Sequence, residues 1–185
     1  APDGETAALG TVRSLISLRE NAGGAFLISD FAWRRSRVLR ELTARAFDQA
    51  ETRPLLAAVR AVTLDGGSHA DGILFSSWLA ARLGWAFADA AASIGEYRDG
   101  SGKEVRFVHA TPGFPLSDGF RLRFSFDSKD DVTIGCTRGG CVSDGAERGA
   151  YKFPSDGEIL LEEVDSLTQD PVYQETLDHA GRLRG

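Results

Sequence analysis

Seven consecutive residues, Phe120-Arg121-Leu122-Arg123-Phe124-Ser125-Phe126, alternate large apolar and polar side chains without a break. In a strand successive side chains point to opposite faces, so Leu122, Phe124 and Phe126 point one way and Arg121, Arg123 and Ser125 the other. Val105 to His109 alternates in the same manner, and Asp131 to Gly135 reads as a third strand. Gly139-Gly140 reads as a tight turn between Cys136 and Cys141. Connections this short imply an antiparallel meander.

Helical spacing governs the flanks. Leu9 to Leu18 carries apolar residues at 9, 12, 15 and 16, and Gly23-Gly24 ends it. Ser29 or Asp30 offers an N-cap for a helix over Phe31–Phe47, with Val38, Leu39, Leu42 and Ala46 on one stripe. Its other faces hold Arg34, Arg35, Arg37, Arg40 and Arg45, an unusually basic exterior. Pro54 opens a segment that ends in a strand, Ala61–Leu64. After the turn Asp65-Gly66-Gly67, Ser68 or Asp71 caps a helix over Gly72–Leu83 that is apolar on most faces, and Gly84 stands where a left-handed C-cap belongs. Near the C-terminus, Ser155 or Asp156 starts a helix over Glu158–Leu167 with Leu160, Leu161, Val164 and Leu167 as its apolar face. Asp170-Pro171 starts another, because proline lacks only an N–H that a first turn would leave unpaired. The pattern predicts an α/β (α+β) domain: a mainly antiparallel sheet packed with amphipathic helices, and helical N- and C-terminal segments. The 185 residues read as a single domain, with a helical lead-in over about 1–50, a body over about 54–153 and a helical tail over about 155–183.

Charge is segregated along the chain. Residues 31–60 carry seven Arg against Glu41, Asp48 and Glu51, whereas residues 151–185 carry eight acids against Lys152, Arg182 and Arg184. Surfaces of one sign orient protein encounters; the plainer reading is that charges merely solvate helix exteriors. The net charge of −6 argues against non-specific binding to nucleic acid or membranes. With two Cys there is no disulfide framework, and a reducing, cytoplasmic setting follows as the default.

Candidate chemistry is sparse. The three His, at 69, 109 and 179, fall in three different sequence environments, and one C-x4-C pair does not make a zinc site. His69 with Asp71, and Asp144 with Glu147, are neighbours in sequence only, so no catalytic residue, metal ligand or cofactor site is assigned. The turn Gly66-Gly67-Ser68 before a helix is a weak anion site, since helix N-termini present free N–H groups; it lacks a Lys, and a plain strand-to-helix turn is the alternative. A hairpin would bring Cys136 and Cys141 within bridging reach, with Arg138 favouring the thiolate. Otherwise the two are inert small hydrophobes.

Three segments carry a resemblance. Ile28-Ser29-Asp30-Phe31-Ala32-Trp33-Arg34-Arg35 with Arg40-Glu41-Leu42, then Ser77-Trp78-Leu79-Ala80-Ala81-Arg82-Leu83-Gly84-Trp85, then Leu161-Glu162-Glu163-Val164-Asp165 with Asp170-Pro171-Val172-Tyr173 and Leu177, occur in that order. Together they resemble the motifs of OpcA, the glucose-6-phosphate dehydrogenase assembly protein family. Val38-Leu39 stand where the family often has Pro-Trp, and Ser77 replaces a glycine. The resemblance implies a non-catalytic, cytoplasmic bacterial assembly factor or allosteric activator that binds glucose-6-phosphate dehydrogenase in the oxidative pentose phosphate pathway. NADP and glucose 6-phosphate would then belong to the partner. It further implies that these residues form the C-terminal domain of a longer chain, in keeping with a sequence that has no Met and opens Ala1-Pro2-Asp3-Gly4. Some members are redox-responsive, which draws attention to Cys136 and Cys141. Trp33, Arg34, Arg35, Arg37 and Arg40 are the expected partner contacts, with Trp33 as core and Asp30 as a cap in the plainer reading. The alternative function is a regulatory domain that binds a sugar phosphate at Gly66, Gly67 and Ser68.

Overall fold

A parallel pair of strands anchors the molecule, and a single helix makes it feasible. Strand β1 (Val59–Asp65) runs into helix α4 (His69–Leu83), which carries the chain back so that β4 (Glu104–Thr111) lies parallel to β1. Parallel strands need a crossover of this kind. The computed structural model describes residues 2–21, 30–88, 95–113, 115–127, 129–137, 140–143, 146–149, 153–165 and 170–183. Between α4 and β4 the chain inserts two short strands, β2 (Ala86–Phe87) and β3 (Glu96–Arg98), which extend the sheet beyond β4. Sequence alternation could not reveal segments of two and three residues.

On the other side of β1 the expected meander forms only from Phe120 onward; Val105–His109, expected as its first strand, is β4, which the parallel crossover places beyond β1 and unpaired with β5. Strands β5 (Phe120–Phe126), β6 (Val132–Thr137), β7 (Gly140–Ser143) and β8 (Ala146–Gly149) are antiparallel neighbours in an eight-stranded sheet of order β2-β3-β4-β1-β5-β6-β7-β8. The predicted alternation holds: Phe120, Leu122 and Phe124 are buried while Arg121 and Arg123 are exposed. Of the predicted Gly139-Gly140 turn, Gly139 lies outside the described residues and Gly140 opens β7 opposite Thr137.

The remaining helices are α1 (Pro2–Asn21), α2 (Phe31–Arg35), α3 (Arg37–Ala46), α5 (Asp156–Asp165) and α6 (Pro171–Ala180). A 3-10 turn over Arg53–Ala58 follows α3 and carries Pro54. One core joins the inner sheet face to α3 and α4 through Leu39, Leu42, Phe75, Leu122, Phe124 and Ile134. A second lies mainly among helices: Leu9 and Val12 of α1, Trp33 of α2, Ile73 and Leu74 of α4, and Tyr173 and Leu177 of α6, with Leu183 beyond α6 and Phe87 of β2 against it. Helix α4 contributes to both, which is why it is apolar nearly all round.

Local chemistry sets the boundaries. Asp30 caps α2 by accepting from Ala32 N at 2.7 Å, and Ser68 and Asp71 form a reciprocal capping box on α4. Gly84 ends α4 at φ 67°, a left-handed position suited to glycine. Asp170 caps α6 through Val172 N and Tyr173 N. One boundary departs from expectation: Phe31–Phe47 is two helices, not one. Ser36 stands between them at φ −74°, ψ 0°, and its hydroxyl donates to Trp33 O at 2.9 Å. A serine that bonds the local backbone competes with the helix ladder in this way.

Candidate protein interface

The expected contact residues divide sharply. Trp33 is 2% exposed, so it is core and not a partner contact. Its Nε1–H donates to Asp170 Oδ2 at 2.8 Å, and its ring stacks on Tyr173 with centroids 5.2 Å apart. The Arg40 guanidinium lies 3.2 Å from the Trp33 ring centroid and donates to Trp33 O and Ser36 Oγ, each at 2.8 Å. Arg40 is therefore also corrected: its charge is spent on the indole face and the helix break, not offered to solvent. Burial pulls its pKa down to about 9, against the pull of Asp170, so it stays cationic at neutral pH. The residues that carry the first and last resembling segments thus form a structural pin between α2 and α6.

Arg35 and Arg37 remain at the surface, and each has an acidic partner. Arg35 Nη1 meets Asp156 Oδ1 at 3.3 Å, and Arg37 meets both Glu41 Oε1 and Glu162 Oε2 at 3.5 Å. Arg34 is half-buried in the last turn of α2. Arg19 with Asp178 and Arg82 with Glu175 repeat the theme on α6. Part of the segregation seen along the sequence is met within the molecule: Arg35 and Arg37 of the basic segment, with Arg19 and Arg82 from outside it, pair with four acids of the tail. Exposed pairs of this type contribute ~0–1 kcal/mol each, so they orient the tail more than they stabilise it.

Helix α5 inverts its expected face. Asp156 and Glu162 turn toward the arginines and Ile159 is 1% exposed, whereas Leu160 and Leu161 are 56% and 68% exposed. The apolar stripe expected to meet the core is turned to solvent over these two residues; Leu167 and the Val164 side chain lie outside the described residues. A capping box of Ser155 and Glu158 fixes the start of the helix. Phe31, the first residue of the neighbouring α2, is 40% exposed.

The expected anion site at Gly66, Gly67 and Ser68 is filled by the chain itself. Asp71 places its own carboxylate at the helix start, where Oδ2 accepts from Ser68 N at 2.7 Å and Ser68 Oγ at 2.8 Å. Gly66 N donates to Thr111 O, and a Cβ at Gly66 would stand 2.7 Å from Gly119 O. Gly66 therefore serves a close backbone approach, and Gly67 a left-handed turn at φ 84°. A recess of about 610 Å³ beside Gly66 is lined by Asp65 and Asp118 as well as Arg121, an unfavourable setting for a phosphate.

Cys136 and Cys141 face each other across β6 and β7 with Cα atoms 4.0 Å apart, and they are joined as a disulfide. Both are 2% exposed and belong to the sheet core. Arg138 lies outside the described residues.

Two of the three His come together, contrary to the reading of separate environments. The rings of His69 and His109 stand 6.0 Å apart at 76°, beside a recess of about 100 Å³ that Glu5 also lines. His109 Nε2 lies 2.8 Å from Gly66 O, and burial lowers its pKa. The only hint was His109 on the inward phase of β4; pairing with His69 depends on the parallel crossover, which spacing does not encode. Among the described residues no group of three His, Cys, Asp or Glu side chains is arranged to hold a metal. Asp144 lies outside them, as does the Glu147 side chain.

The family model of the OpcA type, which describes the C-terminal domain of a glucose-6-phosphate dehydrogenase subunit, matches residues 27–177. The chain belongs to this family. Relatives named OxPP cycle protein OpcA share 30% identity in Synechococcus elongatus, over 81% of this chain and 40% of that one, and 30% in Nostoc punctiforme, over 84% and 36%. A third relative of that name, from Synechocystis, shares 32% over 75 residues. The chain thus spans well under half the length of these relatives. No helix among the described residues is long and apolar enough to cross a membrane.

Proposed function

We propose that the chain is a non-catalytic module that binds glucose-6-phosphate dehydrogenase and favours its assembled, active state in the oxidative pentose phosphate pathway of a bacterial cytoplasm. The observation that carries this reading is the match of residues 27–177 to a family named for a subunit of that enzyme. The geometry is in keeping with it. Three polar groupings hold elements together: Trp33 with Asp170, Asp71 with Ser68, and Arg60 of β1, which donates to Asp127 Oδ2 at 2.8 Å and Asp99 Oδ2 at 3.2 Å.

Physically, an activator has to bind the active enzyme better than the inactive one, since equal binding shifts no equilibrium. A tenfold shift needs only about 1.4 kcal/mol of differential affinity. The decisive experiment pairs the full chain with its cognate dehydrogenase in a pull-down and a kinetic assay. Association with a change in kinetics or oligomeric state is expected; no association and no change would remove the reading. In the same assay the Cys136–Cys141 bond is the candidate redox element. Reduction to the two thiols should alter activation, reoxidation should restore it, and alkylation of the reduced thiols should make the change permanent; activation that is indifferent to reductant would leave the bond a purely structural one. The sugar-phosphate alternative loses its footing with Asp71 at the helix start, and calorimetry with glucose 6-phosphate should show no saturable heat.

A further inference from the structure

We propose that the outward face of α5 is a docking surface for a protein surface in which apolar side chains are framed by Lys or Arg. An amphipathic helix normally buries its apolar stripe. Here α5 is tethered by its polar side, Asp156 to Arg35 and Glu162 to Arg37, with Ile159 as its inward plug. At 100° per residue, Leu161 lies on the side opposite Ile159, with Leu160 between them and Gly157 beside Leu161. A Cβ at Gly157 would meet nothing within 4 Å, so this strip of the helix is open.

Charge selects the occupant. Among its described side chains the helix carries Asp156, Glu158 and Glu162 and no Lys or Arg, and Asp156 and Glu162 stay 69% and 47% exposed even beside Arg35 and Arg37. An acidic frame around exposed leucines complements a basic frame around an apolar ridge. The same acids repel a second copy of this face, anionic lipid and nucleic acid. The identity of the partner as the dehydrogenase rests on the function proposed above; the chemistry of the surface does not.

The test uses the full chain and two probes: the cognate dehydrogenase, and an 18-residue Leu/Lys peptide patterned as an amphipathic helix. Affinity is measured for wild type, for L160S/L161S, and for R106E/R121E on the distant outer face of the sheet. Leu160 and Leu161 touch water, so L160S/L161S should keep the wild-type melting temperature; the single variant L161S serves if it does not. Both probes should bind L160S/L161S at least tenfold more weakly than wild type, and neither should distinguish R106E/R121E by more than about twofold. If the dehydrogenase binds no variant at all while the peptide shows the tenfold loss, the partner assignment falls and the surface stands. Peptide binding that is absent or insensitive to the leucines overturns the proposal. So does equal dehydrogenase binding by wild type and L160S/L161S, or a self-association of the chain that L160S/L161S abolishes.

Discussion

Helices α3 and α5 each run ten residues and carry leucines, yet those leucines are mounted in opposite senses. Helix α3 buries Val38, Leu39, Leu42 and Ala46 against the sheet and leaves Arg37, Glu41 and Arg45 outside. Helix α5 leaves Leu160 and Leu161 outside and directs Asp156 and Glu162 at arginines of α2 and α3. The difference teaches that a sequence marks which face of a helix is apolar but not whether that face meets its own core. Helix α3 precedes a strand that needs a cover. Helix α5 arrives after the sheet face is occupied by α3 and α4, and it meets two exposed cations instead.

The sharpest way to break the contrast is to truncate one leucine on each helix. Leu39 is 0% exposed, so Leu39→Ala should cost about 2–5 kcal/mol in a denaturant titration. Leu161→Ala should stay within about 0.5 kcal/mol of wild type. Comparable losses would mean that α5 buries its stripe after all. Next in size is the pin on which the mounting of α2 and α6 depends. Trp33→Phe removes the Nε1–H donor to Asp170 and weakens the seat of Arg40, which should cost about 1–3 kcal/mol. A change below about 0.5 kcal/mol would make the pin ornamental. Smallest is the tether itself: R35E/R37E should lose less than about 1 kcal/mol per broken pair, because both arginines are substantially exposed.

Proton linkage reads two buried histidines, His109 on β4 and His179 on α6. Burial lowers the pKa of His109 and of His179 below the ordinary value near 6.5. The unfolded chain then binds more protons than the folded one as pH falls through that value, so stability is present above it and is lost toward acid. Melts from pH 7.5 to 5.5 should decline, and His109→Gln should flatten the decline; an unchanged slope would contradict the assignment. His69, Asp71 and Glu5 are the ionisable groups that face His109. Burial raises Asp71, whose linkage runs in the opposite sense, so the difference between wild type and His109→Gln isolates the histidine.

Features written in adjacent residues were legible. Asp30, Ser68 and Asp170 as caps, Gly84 as a stop, and the alternation of Phe120–Phe126 each need only a few neighbours to be read. Features decided by distant segments were not. The parallel β1–β4 pair, the meeting of His69 and His109, and the outward leucines of α5 all depend on what already occupies a face. Trp33 shows the boundary between the two cases. Its motif was readable, but a burial of 2% against Asp170, 137 residues away, was not. For the same reason Trp33, Arg40, Asp170 and Tyr173 of the family motifs form a structural pin, whereas Leu161 of the last motif faces solvent, and the candidate interface moves from the basic helix to the acidic one.

Thiol labelling measures the outward mounting of α5 directly, because the native cysteines are already bonded to each other. A single Cys is placed at position 39 or 161 of the full chain, and maleimide labelling rates are followed with and without the cognate dehydrogenase. Leu161→Cys is expected to label at nearly the rate of a free thiol and to slow at least tenfold with saturating enzyme, while Leu39→Cys stays unlabelled throughout. Slow labelling at position 161 in the free chain, or a rate that saturating enzyme leaves unchanged, would contradict an open, partner-facing α5.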